Sequence, residues 1–246
     1  MIDHIDPETV PALTTAQMVE VDRAMIEDFR IELIQMMENA GRNLAHLARV
    51  RFLDGSPIGK KVVVLAGTGG NGGGALVSAR RLHNWGADVQ IFLTRPADKF
   101  TPIPAHQLDI LERMQVPIAS AEAAIGSEAV DLIVDGLIGY SLAGVPRGTA
   151  GDLIRWANAQ DAPILALDAP SGLDTTPGAV FDPAIRATAT MALALPKQGL
   201  LAKDVAGQVG ELYLADISVP PRLYAEPALD LEVGPIFAAS DIVRLR

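Results

Sequence analysis

The chain of 246 residues contains no cysteine, so disulfides, thiolate catalysis and Cys-ligated metal sites are excluded. Aromatic residues make up only 4%, and basic residues are outnumbered, 20 Lys and Arg against 30 Asp and Glu. The resulting net charge of −10 argues against nonspecific nucleic-acid or anionic-membrane binding. The four histidines, His4, His46, His83 and His106, are scattered, without metal-ligand spacing. No stretch reaches the roughly 18 uncharged apolar residues of a membrane span. The N-terminal residues carry neither a basic segment nor an apolar run, so no signal peptide is read and a cytoplasmic protein is expected.

What the chain has in quantity is apolar residues, 49%, ample for an α/β core. It reads as a single domain over 1–246, with no repeat and no linker. The most informative stretch is Val62-Val63-Val64-Leu65-Ala66, followed by six glycines in the eight positions from Gly67 to Gly74. A helical pattern then runs through Leu76, Val77, Ala79, Leu82 and Trp85. Strand, glycine loop and helix form the opening of a nucleotide-binding βαβ unit. Such a loop lets main-chain N–H groups approach an anion, and the helix N-terminus attracts a phosphate.

Gly67, Gly69 and Gly72 also fit G-x-G-x-x-G, but the acidic residue a dehydrogenase needs after its second strand is missing there. Asp88 opens the strand Asp88–Leu93 rather than closing it, and Arg95 at its end would at most suit a 2′-phosphate.

Thr14 to Gln17 resembles a capping box and predicts a helix to Glu27, after a loose lead-in over residues 1–13. A second amphipathic helix is predicted over 33–53, with Glu38 and Asn39 interrupting its apolar stripe beside Gly41. Further on, helices are expected over 104–114 and 153–159 and a short strand over 116–118. Buried strands are expected over 132–135, 164–168, 187–195 and 210–215, the last being the final strand, with a surface tail beyond Pro220. The fold class that follows is α/β: a three-layer, doubly wound, mostly parallel, Rossmann-like sheet with N-terminal helices.

Ligands of such sheets bind beyond the carboxyl ends of the strands. The glycine loop, Asp135 and Asp168 all fall there. Asn71, Asp135 and Ser171 together offer an amide oxygen, a carboxylate and a hydroxyl, a hard-oxygen set of low charge that suits a monovalent cation better than a divalent one. Taken alone, Asp135 reads equally well as a loop brace. Asp168 reads as an isolated carboxylate suited to acid–base work. Lys197 either modulates Asp168 or contacts a phosphate, or is a solvated strand-end lysine.

Five segments in order, Met37-Glu38-Asn39-Ala40-Gly41, the glycine loop, Val134 to Gly139, Leu167 to Asp174 and Pro196-Lys197-Gln198-Gly199, resemble the YjeF N-terminal domain family, the NAD(P)H-hydrate epimerases. The resemblance runs from about Leu13 to Pro220. It implies an isomerase of metabolite repair, homodimeric, that interconverts the R and S forms of hydrated NADH or NADPH beside a partner NAD(P)H-hydrate dehydratase. It further implies substrate binding by Gly70, Asn71, Gly72, Gly73 and Gly74, by Gly139, Tyr140, Ser141, Leu142, Ala143, Gly144 and Val145, and by Asp168. Asp168 would be catalytic, and a potassium ion would be held by Asn71, Asp135 and Ser171. The family loop reads Asn-Asn-Gly-Gly-Asp-Gly, whereas this chain reads Gly70-Asn71-Gly72-Gly73-Gly74-Ala75, lacking one amide and one carboxylate. The alternative is a non-catalytic nucleotide-binding or scaffold domain of the same fold.

Overall fold

The computed structural model describes residues 2–121 and 129–246. Its centre is a strand that the sequence marks plainly. β2 (Lys61–Ala66) is apolar from Val62 onward and buried on both faces, as a central parallel strand must be. Its neighbours are β3 (Asp88–Leu93) on one side and β5 (Leu132–Gly136) on the other, both parallel to it. The remaining strands are β1 (Asp3–His4), β4 (Ile118–Ser120), β6 (Ile164–Leu167), β7 (Ala189–Leu193), β8 (Glu211–Ala215) and β9 (Ile242–Arg244). The sheet order is β1-β9-β8-β7-β6-β5-β2-β3-β4.

The chain winds outward from β2 in both directions, so β2 and β5 flank the topological switch point, where such sheets bind ligands. Alternation along the strands divides the core between the two faces. Val62, Val64, Ala66, Ile91, Val134 and Leu165 pack with α2 (Leu33–Phe52), α3 (Gly70–Asn84) and α4 (Pro102–Arg113). Val63, Leu65, Ile133 and Ala166 pack with α5 (Gly148–Asn158). A third cluster joins α1 (Thr15–Glu27) to Leu195, Leu212 and Leu214. The predicted three-layer, mostly parallel α/β fold is the one observed.

Two readings of the termini need correction. The lead-in over 1–13 is not loose: β1 pairs with β9, and Leu13 is fully buried. The stretch beyond Pro220 includes a short helix, Pro221–Tyr224, and returns to the sheet as β9, antiparallel to β8, so β8 is not the last strand. Strands of two or three residues are too short to show an alternation.

Within the chain, α1 starts on the Thr14–Gln17 capping box as expected, Thr14 Oγ1 accepting from the Gln17 N–H at 3.2 Å. The helix expected over 104–114 begins at Pro102, since proline suits the first helical turn. The strand expected at 116–118 lies two residues on, because Pro117 has no N–H for a ladder. Gly41 is a close-packing glycine, since a Cβ there would lie 2.4 Å from Val77 Cβ. Glu38, in the polar break of the α2 stripe, takes Arg80 Nη2 at 2.6 Å on each oxygen and Gln107 Nε2 at 3.1 Å. No described helix is long and apolar enough to cross a membrane.

Candidate active site at the switch point

The loops leaving β2 and β5 touch through their main chains. Gly67 N–H donates to Gly136 O at 3.0 Å, and a Cβ on Gly67 would lie 1.9 Å from the Leu137 carbonyl oxygen. Only glycine permits that approach. It brings the first turn of α3 beside the β5 loop, where the Asn71 side chain lies against Gly139. Asn71 Nδ2 is buried and has no hydrogen-bond partner among the described residues. A buried amide left unpaired carries a cost of about 1–3 kcal/mol, which a ligand would remove.

Asp135, at the end of β5, is fully buried. Its Oδ1 accepts from Ser171 Oγ at 2.6 Å and from Leu137 N–H at 3.1 Å, and its Oδ2 accepts from Ser171 N–H at 2.8 Å. Burial pushes its carboxyl up to about 6, against the bonds from Ser171 and Leu137 that hold it down. Ser171 Oγ also accepts from Ile138 N–H at 2.9 Å and lies 3.1 Å from Ile138 O. A hydroxyl has one proton. When Asp135 takes it, Ile138 O is left as an open acceptor. The brace reading and the ligand reading of Asp135 are therefore compatible: it ties the 135–139 loop to the turn after β6.

Asp168 is not the isolated carboxylate that its strand-end position implies. Its Oδ1 accepts from Lys197 Nζ at 2.5 Å and from Leu193 N–H at 3.3 Å. Lys197 is 0% exposed and paired with Asp168, so the solvated-lysine reading fails. Lys197 Nζ also donates to Leu193 O at 3.0 Å. Both contacts to the carboxyl fall on Oδ1, and Oδ2 makes no hydrogen bond among the described residues. Asp168 holds φ at +63°, a left-handed value uncommon for a side-chain-bearing residue. Its N–H is fixed by Met191 O at 2.8 Å. A polar residue kept in such a conformation directs attention to function.

A cavity of about 260 Å³ opens beside Asn71 and Asp168, whereas Asp135 and Ser171 are buried outside its wall. Its wall includes Asn71, Gly74, Gly139, Tyr140, Asp168 and, from α1, Asp22. Gly70 and Ser141 also reach it. Gly72 and Gly73 do not: their Cβ positions face Gly67 O at 1.8 Å and Met37 Sδ at 2.5 Å, so these glycines serve packing behind the wall. Leu142, Ala143, Gly144 and Val145 lie beyond Ser141, outside the wall, with Ala143 to Val145 exposed. Arg95 is exposed and lines no part of this cavity. Gly74, where the family pattern has its carboxylate, faces Leu167 Cδ2 at 2.8 Å.

One ionisable residue of the cavity, Asp22, escaped the reading of the sequence, as did the apolar residues of its wall. Tyr140 Oη lies 2.5 Å from Asp22 Oδ2. Burial raises the Asp22 carboxyl above its usual range, opposed by the bond from Tyr140. Burial and the Asp22 carboxylate push the Tyr140 hydroxyl far above the phenol range, so it stays a donor. A signal existed. Met18, Val21 and Met25 form the buried stripe of α1, and Asp22, four residues from Met18, sits at its edge.

Residues 33–199 match the family described as YjeF-related protein N-terminus. The chain belongs to this family. A YjeF relative from Dehalogenimonas lykanthroporepellens, named NAD(P)H-hydrate epimerase, is 41% identical over 98% of this chain and 93% of its own length. One of the same name from Truepera radiovictrix is 35% identical over 84% of this chain and 90% of its own. A longer relative from Salinibacter ruber, named bifunctional NAD(P)H-hydrate repair enzyme Nnr, is 36% identical over 86% of this chain, which spans 41% of it. Among solved structures, yeast ynu0 superposes with a TM-score of 0.79 at 24% identity, over 96% of this chain and 100% of that one. The last comparison supports the YjeF fold alone.

Proposed function

We propose that the chain interconverts the R and S forms of hydrated NADH and NADPH, an isomerase of cofactor repair. The observation that carries this is Asp168, a carboxyl anchored through one oxygen in a cavity at the switch point. It sits in a chain 41% identical to a relative named for that activity over nearly the whole of both. The relatives' printed names are those of enzymes, so nothing among them favours the inactive scaffold reading.

The cavity, at about 260 Å³, is below the roughly 300–1,000 Å³ of a site that encloses a whole small ligand. It suits the hydrated nicotinamide ring, with the dinucleotide extending outward. The N–H groups at the start of α3 face no capping side chain and are placed for phosphate oxygens. Asn71 Nδ2 is free to donate to the substrate. In the reaction, Asp168 exchanges a proton with the C6 hydroxyl of the ring. Water departs, the ring nitrogen stabilises the iminium that remains, and water returns to the other face. No hydride moves. Lys197 fixes the orientation of the Asp168 carboxyl through its Oδ1 and stays out of the cavity.

Asp135, Ser171 Oγ and the Ile138 carbonyl lie together around a carboxyl that burial destabilises, and Asn71 stands against Gly139 on the same loop; these oxygens are the donor set that would hold a potassium ion. Such an ion would supply positive charge that offsets the buried carboxylate and secures the two loops. A homodimer, and a dehydratase as the enzyme that consumes the S form, belong to the same proposal. The fused arrangement named in the bifunctional relatives supports the latter.

The test is a mixture of R- and S-hydrate with an S-specific dehydratase, followed at the absorbance of the restored dihydronicotinamide. Alone, the dehydratase stalls once the S form is consumed. Addition of this protein is expected to carry the reaction through the R form well ahead of spontaneous epimerisation. An unchanged slow phase overturns the proposal.

A further inference from the structure

Epimerisation through a planar cation handles protons on both faces of the ring. The departing hydroxyl needs an acid on the side it leaves, and the entering water needs a base on the side it enters. Asp168 is held in place by Lys197, Leu193 and its own backbone, so it is fixed with respect to a ring seated in the cavity. We propose that Asp22, hydrogen-bonded to Tyr140, is the second acid–base group of the cavity and serves the face of the substrate that Asp168 does not. This rests on the epimerase reading above.

Four observations carry it. Asp22 and Tyr140 both line the cavity together with Asp168 and Asn71. The two carboxyls are arranged as two separate pairs, Asp22 with Tyr140 and Asp168 with Lys197, and Lys197 Nζ lies 5.8 Å from the centre of the Tyr140 ring. The Tyr140 side chain thus adjoins both pairs. Next, the helix that carries Asp22 is tied to the rim of the site. Leu13 N–H donates to Pro196 O at 2.8 Å, and Gln198 N–H to Leu13 O at 2.9 Å, on either side of Lys197. Thr15 N–H donates to Thr176 Oγ1 at 2.8 Å, and Thr15 Oγ1 lies 3.0 Å from Thr175 Oγ1. The helix that positions Asp22 therefore starts from the strand end that positions Lys197. Last, the glycine loop lacks the family's carboxylate at Gly74, yet the cavity still holds two carboxyls because α1 supplies one.

The balance is simple. One carboxyl, protonated, gives its proton to the C6 hydroxyl as the C6–O bond breaks and water leaves with the bonding pair. The iminium forms between C6 and the ring nitrogen. Water adds to C6 from the opposite side and yields a proton to the other carboxylate, and the net transfer between the two carboxyls is undone through solvent. In the reverse direction the roles exchange. The oxygen at C6 of the product comes from solvent.

The experiment uses the full chain and R-hydrate in water enriched in ¹⁸O, with the product trapped as S-hydrate. The wild type is expected to give S-hydrate carrying solvent oxygen. Asp22→Asn is expected to lower kcat about 100-fold in both directions with KM within threefold, since a positioned proton donor contributes about 10²–10⁴-fold. Asp22→Glu is expected to recover part of that loss, which a purely structural role would not allow. Tyr140→Phe is expected to lower kcat about 10-fold, and it decides the matter by itself if Asp22→Asn fails to fold. An active wild type whose Asp22→Asn and Tyr140→Phe variants keep kcat within threefold, or lose only KM, overturns this proposal alone. A product that retains its original oxygen also overturns it. A wild type without turnover overturns the epimerase reading and this proposal with it.

Discussion

Replacing Lys197 by Met removes one charge of a buried pair while keeping a side chain of similar length. Lys197 is 0% exposed and Asp168 3%, and their charged atoms are 2.5 Å apart. At that separation the Coulomb attraction is about 7 kcal/mol in an effective dielectric of about 20, much of it offset by desolvation of both ions. The variant would leave the Asp168 carboxylate with one 3.3 Å bond from Leu193 N–H and would also lose the Lys197 bond to Leu193 O. Removing one partner of a buried pair costs about 3–5 kcal/mol. That is a large part of a typical total stability of about 5–15 kcal/mol. Asp168→Asn should cost a comparable amount by stranding the lysine, with little backbone penalty, because Asn tolerates the φ of +63°. The double variant strands neither charge. It should therefore be more stable than the sum of the single losses by about 2–3 kcal/mol, the upper range for groups in contact. Urea denaturation of the four proteins measures this cycle. Single losses below about 1 kcal/mol, or a double loss equal to the sum within about 0.5 kcal/mol, would refute the view that the two residues act as one ionic unit.

Three further perturbations test other parts of the structure. Gly74→Asp restores the family's carboxylate but places a Cβ 2.8 Å from Leu167 Cδ2, next to Asp168. Melting should fall by the equivalent of about 1 kcal/mol and kcat should not rise; a rise would show that the missing carboxylate limits this chain. Glu211 is held down to about 2, chiefly by the paired bonds from Arg51 at 2.9 Å each, and its bond from Tyr213 and the nearby Arg244 add to this. A depressed carboxyl stabilises above its unfolded value, near 4.5, and the contribution disappears as pH falls toward 2. Glu211→Gln should thus cost about 1–2 kcal/mol at pH 7, after discount for the exposure of Arg51, and only a small fraction of that at pH 2; an equal cost at both pH values would defeat the assignment. Potassium at ten times its dissociation constant should add about 1.4 kcal/mol and raise the melting temperature by about 3–5 °C over sodium. Asp135→Asn should abolish the difference, and identical melting in the two salts for the wild type would remove the cation site.

The parts of this protein that the sequence announces are those whose cause is local. β2 is visible because five apolar residues must be buried on both faces, and the switch point because Gly67 must admit the Leu137 carbonyl at a distance no Cβ allows. Asp135 and Asp168 are visible because strand ends in such a sheet point to the ligand edge. The short strands β1 and β9 at one end of the sheet are not visible, since two or three residues show no period. The pairings in the site are hidden for another reason. Lys197 reaches Asp168 across 29 positions, after Ala194 turns the chain at φ +64°, a conformation that alanine does not advertise. Tyr140 reaches Asp22 across 118 positions, and nothing near either residue names its partner. A carboxyl becomes a reagent only when its surroundings set its charge and direction, and here those surroundings come from distant segments. The paired side chains belong to the assembled cleft, whereas the single polar residues at strand ends belong to the sequence. That is why the sequence marks Asp168 as a strand-end carboxyl but not its partner Lys197.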